Sequence, residues 1–349
     1  MTDRPAEEPV AGAGPEARWR SALPYALALV LAAALVAVTA TQRQSSSAAE
    51  EVLGDKQLKI MAPAAPGGGW DQTSREMQAA LEELVGRTEV YNVEGAGGTI
   101  GLSQFSQLRG QPNQLMTSGL IMVGAIAAND ASVDVSEVTP LVRLTTDTQV
   151  VVVPKDSDIK TVKDLADQMK ANLPRVSVAG GSAGGAEQIL AGLMAKKLGE
   201  DPAQVNYVAH SGGGEAVATL LSGSATAGIS GISEIKPQID AGAVRPLAVS
   251  SKERAELLPD VPTLLESGID VELTNWRGVM APKGLTEAQE TALEDLLVRM
   301  TETERWQEAL AREGWGEYTL AGPGFERFVV SETTRISGII DDLGLGGES

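Results

Sequence analysis

The chain has 349 residues, 43% of them hydrophobic and 3% aromatic, enough to bury sizeable cores and, at this length, to form two domains. Its 47 acidic and 28 basic residues give a formal charge of −19, which excludes a basic surface for nucleic acid. With no cysteine, disulfides, thiolate metal sites, thiol catalysis and a lipid-modified cysteine are excluded as well.

In chain order, residues 1–21 form a polar tail ending in Arg18-Trp19-Arg20. Residues 22–41 are almost wholly Ala, Leu and Val. A positive flank before a short apolar run reads as an export signal, with cleavage after Ala40 or nearer Ala48 and Ala49. An uncleaved anchor is the alternative, because a spanning helix needs ~20 apolar residues. Either way, the remaining chain is expected outside the cytoplasm. Residues 42–57 read as a linker.

From Leu58 the pattern alternates strand and helix, the signature of an α/β fold built on mostly parallel sheets. One unit recurs four times. An apolar run from Leu58 to Ala62 leads into Pro66-Gly67-Gly68-Gly69-Trp70-Asp71, then a helix with Met77, Ala80, Leu81 and Leu84 on one face. Glu89–Val93 leads into Gly95-Ala96-Gly97-Gly98. Val176–Ala179 leads into Gly180-Gly181-Ser182-Ala183-Gly184-Gly185. Val205–Val208 leads into His210-Ser211-Gly212-Gly213-Gly214. Each loop turns backbone N–H groups and the positive end of a helix toward one point, where an anion is the natural occupant. The C-terminal part is helical and its apolar residues read as core, with Thr286 and Gln289 forming a capping box.

Several chemistries can be weighed against these loops. Gly95–Gly101 fails the dinucleotide pattern, since Ile100 stands where the third glycine belongs, and no loop continues into Gly-Lys-Ser or Gly-Lys-Thr. Gly180-Gly181-Ser182-Ala183-Gly184 matches a nucleophile elbow, and Asp201 and His210 follow in hydrolase order. That makes a secreted serine hydrolase the enzyme alternative, although a Gly-rich loop yields the same letters without catalysis. One histidine and scattered carboxylates give no metal-ligand spacing, and neither metal nor cofactor is expected. For Asp71 the plainer reading is a helix N-cap. Trp70 and Trp276 sit beside glycines and are candidates for a cleft. Arg143 and Arg277 are candidate carboxylate partners, with surface salt bridges as the plainer reading.

The ordered set of motifs resembles the periplasmic receptors of tripartite tricarboxylate transporters, also called Bug-type extracytoplasmic solute receptors. It runs from Ala65–Asp71 and Gly95–Gly101 through Ser118–Gly124, Ala179–Gly185, Ser211–Ala216 and Pro262–Leu264 to Asn275–Pro282. The resemblance implies a two-lobed periplasmic-binding-protein (type II) fold, with residues 58–153 plus 275–345 as one lobe and 154–274 as the other. It implies no catalysis. A small carboxylate, in first place a tricarboxylate such as citrate, would be held by the loops Pro66–Asp71 and Gly95–Gly98 of one lobe and Ser182–Gly185 and Ser211–Gly213 of the other, with Ser118, His210 and Trp276 nearby. The partners implied are a large and a small membrane permease subunit, served by a monomeric receptor. A carboxylate sensor for a signalling system is a further alternative. Ala186-Glu187-Gln188 departs from the Thr-Asp-His pattern expected after the third loop.

Overall fold

The computed structural model describes residues 48–129 and 131–346. The expected export or anchor segment 22–41 lies outside them. Among the described residues, no helix is long and apolar enough to cross a membrane. Within the expected linker, residues 48–53 are helical, and Ala49 and Leu53 are buried in the same core cluster as Leu58 and Ile60. Apolar side chains at i and i+4 account for that departure from the linker reading.

Among the described residues, ten strands share one sheet in the order β2-β1-β3-β9-β4-β7-β5-β6, with β10 and β8 also paired to β4. The strands are β1 (Leu58–Ala62), β2 (Thr88–Asn92), β3 (Gln114–Gly119), β4 (Val138–Pro154), β5 (Ser177–Gly180), β6 (Asn206–Ala209), β7 (Ala227–Gly231), β8 (Val244–Val249), β9 (Thr274–Pro282) and β10 (Gly316–Ala321). Two triplets are built alike, β2-β1-β3 and β6-β5-β7, each parallel with its first strand in the middle. The pairings made by β4 and β9 are antiparallel, as are those of β8 and β10, so the sheet is mixed rather than mostly parallel. The reason is connectivity: β4 carries the chain from the first triplet to the second, and β9 brings it back beside β4.

The long β4 is the axis of the molecule. From Val138 to Thr148 it pairs with β9, and from Gln149 its partners become β7 and β8. The first triplet runs in the same direction as β4 and the second runs against it, so their carboxyl ends point at each other across the Thr148–Gln149 switch. Loops at the carboxyl ends of strands are where open α/β sheets bind ligands. This arrangement sets the loops of both triplets around one space.

Each triplet has three strand-to-helix junctions. Four are the glycine loops, leading to helices Gly69–Val85, Thr99–Phe105, Ala186–Lys197 and Gly213–Leu221. The other two are abrupt: β3 passes at Gly119 into helix Leu120–Ala128, and β7 passes at Gly231 into helix Ile232–Asp240. Burial of one helical face holds each unit to its sheet, as with Met77, Ala80 and Leu81, all fully buried on Gly69–Val85. The capping box at Thr286 and Gln289 opens helix Glu287–Thr301. The long helix Gly322–Asp342 lays Phe325, Val329, Ile336 and Ile340 into a core cluster that also holds Val151, Leu190 and Trp276.

Candidate ligand cleft

The first loop is held from within. The Asp71 carboxylate, in the first helical turn, accepts from Gly67 N (2.8 Å), Arg75 Nε (3.0 Å) and Asn92 Nδ2 (2.9 Å). Burial pulls its pKa up, but these hydrogen bonds outweigh burial and hold it below the ordinary aspartate value. Gly68 occupies the N-cap position, so Asp71 braces the loop from inside the helix rather than capping it from outside. The same device recurs four residues apart in the second triplet. Gly184 N donates to Gln188 Oε1 (2.7 Å) and Ser211 N to Glu215 Oε2 (3.1 Å). The Gln188 that departs from the family pattern thus has a structural role.

The second loop depends on its glycines. Gly98 has φ of 88°, and a Cβ there would stand 2.7 Å from the Trp70 ring. Trp70 can lie against the loop only because that side chain is missing.

Between the loops lies a cleft of about 630 Å3 including its mouth. Of the residues singled out from the sequence, Gly68, Gly69, Trp70, Gly95, Gly97, Gly98, Ser182, Ser211, Gly212 and Gly213 line it. Ala96, Ala183 and His210 line an adjoining hollow together with Ser182 and Ser211. Pro66, Gly67, Asp71, Gly184 and Gly185 belong to the loops but not to the cleft wall. Ser118 is fully buried, its Oγ against Met122 Sδ at 3.3 Å. Trp276, expected to face the cleft, instead lies behind it: Nε1 donates to Glu332 at 3.0 Å, and the ring packs edge-on against Phe325 and Phe328.

The hydrolase alternative fails on geometry. The two ring nitrogens of His210 lie 3.1 Å from Gly180 O and 2.7 Å from Thr219 Oγ1, so both are engaged away from Ser182. Asp201 caps a short exposed turn through Ala203 N (3.1 Å) and does not orient the imidazole. A general base must reach the nucleophile and be oriented in turn, and neither relation exists here.

Of the charged floor of the cleft, the sequence offers Arg277 as a candidate carboxylate partner but not the buried acids around it. Arg277, on β9, is 1% exposed and ion-paired with the equally buried Asp147 of β4, and its Nη1 donates to Thr73 Oγ1 at 3.1 Å. It is therefore no surface salt bridge. Its guanidinium also lies 5.1 Å from the Trp315 ring. Arg143, the other candidate, is buried between the Tyr318 and Phe328 rings. Two further acids line the cleft, Glu187 and Glu234, both from the second triplet. Burial raises Glu187 to about 7, helped by the nearby Asp147 and opposed by its own backbone N–H and Arg277. Burial likewise raises Glu234 to about 8, with Arg277 opposing. Desolvation without a dedicated cation is the common cause. Three buried side-chain atoms of cleft-lining residues have no hydrogen-bond partner among the described residues: Trp70 Nε1, Glu187 Oε2 and Asn275 Oδ1. Buried polar atoms are rarely left so unless something else meets them.

The sequence matches the tripartite tricarboxylate transporter family receptor over residues 73–345. It is 27% identical over 294 residues to the protein BugT of Bordetella pertussis, covering 82% of this chain and 89% of the relative. Among solved structures, MatC from Rhodopseudomonas palustris with bound malate superposes with a TM-score of 0.72 at 22% identity, over 82% of this chain and 99% of that one. A second R. palustris protein, with adipate, gives 0.73 at 21% identity over 83% and 98%. Those likenesses show the fold, a mixed α/β periplasmic-binding-protein architecture. The chain belongs to the tripartite tricarboxylate transporter receptor family, whose members are solute-binding receptors of transport and not enzymes.

Proposed function

We propose that the chain is an extracytoplasmic receptor that captures a small carboxylate between two lobes and delivers it to a membrane permease of one large and one small subunit. The lobes would be residues 58–153 with 275–345, and residues 154–274, closing about β4 and β9. The observation that carries this reading is the convergence of glycine loops and helix N-termini from both triplets on one cleft. Helix-start amides replace water around a carboxylate, and closure strengthens each bond by excluding solvent. The closed form is then the one a permease selects. Malate and adipate bound to structural relatives support the carboxylate class.

Within that class the likeness of the loops favours a tricarboxylate such as citrate. The two buried glutamates favour a ligand of lower charge, and so make a dicarboxylate the second reading. Tryptophan emission of the full-length chain, titrated with citrate, malate, adipate and glucose, tests both. An acid should saturate the signal, and Trp70→Phe should remove most of the change, because Trp70 lines the cleft and Trp276 does not. Saturation by glucose alone would overturn the proposal.

A further inference from the structure

The carboxyl group of Glu234 lies in the cleft between the starts of two helices, one from each triplet. Glu234 stands in the first turn of helix Ile232–Asp240, in the second triplet, yet its carboxyl group lies beside Gly69, which opens helix Gly69–Val85 in the first. Its Oε1 is 3.9 Å from Arg277 Nη2. A Cβ on Gly69 would stand 2.8 Å from that oxygen, and a Cβ on Gly213 would collide with the other. The glycines at two helix starts, one from each triplet, therefore leave room for a carboxylate that the protein itself supplies.

Resting on the carboxylate reading, we infer that Glu234 is an internal stand-in for the ligand: its carboxyl group fills the space at the Gly69 and Gly213 helix starts, and a bound acid takes its place. Burial raises the Glu234 pKa and favours its neutral form, so the departing occupant sets little like charge against an anionic ligand, which brings its own charge to Arg277. The neighbouring wall supplies a second, independent sign of a ligand position. Glu187 is 5% exposed, and its Oε2, like Trp70 Nε1 on the facing loop, has no partner among the described residues. Glu234 differs from Glu187 in already lying between the two helix starts and near Arg277, so it acts as an occupant rather than as a waiting contact.

A purely structural role is the competing account. Ser233, next to Glu234, receives Trp315 Nε1 and reaches Gln72 Oε1, each at 3.3 Å, so this corner already ties the two triplets together. The two roles differ in the sign of their effect on affinity. A staple, or a direct ligand contact, weakens binding when removed. An internal competitor strengthens it, because a site occupied about 90% of the time by its own side chain loses roughly tenfold in apparent affinity.

Calorimetric titration of the full-length chain with malate, adipate and citrate separates them. Glu234→Ala should tighten the best-bound acid by about tenfold. Glu234→Gln, which keeps the shape of the occupant but cannot ionise, should fall between that variant and the wild type. Its similar shape keeps the comparison open should the alanine variant fold poorly. Unchanged or weaker binding in both variants, with the wild type binding, would overturn the stand-in and leave the carboxylate reading in place. Failure of the wild type and both variants to bind any of the three acids would overturn the carboxylate reading and the stand-in with it.

Discussion

The two strand triplets are the same topology used twice, with opposite chemistry at their junctions. In β2-β1-β3 the cleft is reached by backbone and neutral side chains: Gly68, Gly69, Trp70, the glycines after β2, and Ile121 after β3. In β6-β5-β7 the matching junctions add Glu187 after β5 and Glu234 after β7. Parallel strands followed by helices place donors at the carboxyl ends in both cases. What distinguishes one wall from the other is the side chain in the first helical turn, and only the second wall carries charge that burial makes costly.

The largest expected effect falls where the two halves meet. Arg277→Met leaves Asp147 buried without its cation, and breaking such a pair costs about 3–5 kcal/mol. Urea unfolding should register that loss, and a change within 0.5 kcal/mol would show that the pair does not hold β4 to β9. Next come the glycines at the two helix starts. A Cβ at Gly69 meets Arg277 and Glu234, and one at Gly213 meets Glu234. At Gly69 the ion-paired Arg277 resists moving, and overpacking costs about 1–3 kcal/mol, so Gly69→Ala should alter acid affinity by roughly tenfold. At Gly213 only the end of the Glu234 side chain must shift, so Gly213→Ala should alter it by less. Gly214→Ala, where a Cβ has open space, should change it less than about twofold. Calorimetry on all three variants breaks the comparison if only one half responds.

The acidic wall predicts a pH dependence of stability. Glu187 rises from its ordinary 4.5 to about 7 and Glu234 to about 8 in the folded chain. Between 4.5 and those values the folded state binds more protons than the unfolded one, so stability falls as pH rises and levels off above about 8. Thermal melts from pH 5 to 8.5 should show this decline, and Glu187→Gln should flatten the part of it below about 7. A stability that climbs across that interval would contradict the burial of these acids. A small effect is also expected at Ser182, which lines the cleft without a base. Ser182→Ala should shift affinity by no more than about threefold, equivalent to a modest hydrogen bond. Esterase assays should give no turnover for either protein.

Much of the scaffold could be read in advance because its signals are local. The apolar run 58–62, the four glycine loops and the Thr286 capping box each need only a few neighbouring residues, and each stands where periodicity and turn chemistry place it. The junctions at Gly119 and Gly231 were missed, because a single glycine between strand and helix leaves no loop-like run. That cost the reading Glu234. Glu187 was seen only as a departure from a pattern, since nothing local shows that its carboxylate is buried beside Asp147 and Arg277. Trp276 and Arg277 are adjacent on β9, and alternation sends them to opposite faces: one into the hydrophobic core, the other to the cleft floor. Which neighbour faces the cleft is set by the register of β9 on β4, a property of residues more than a hundred positions apart.

The central claim is that both triplets grip one ligand at once. Amide hydrogen exchange of the full-length chain, with and without a saturating acid from the malate, adipate and citrate series, reads this most directly. Protection should rise together in residues 67–71 and 95–98 of the first triplet and in residues 182–187 and 211–215 of the second. Protection confined to one triplet, or appearing away from these loops, would contradict the clamp.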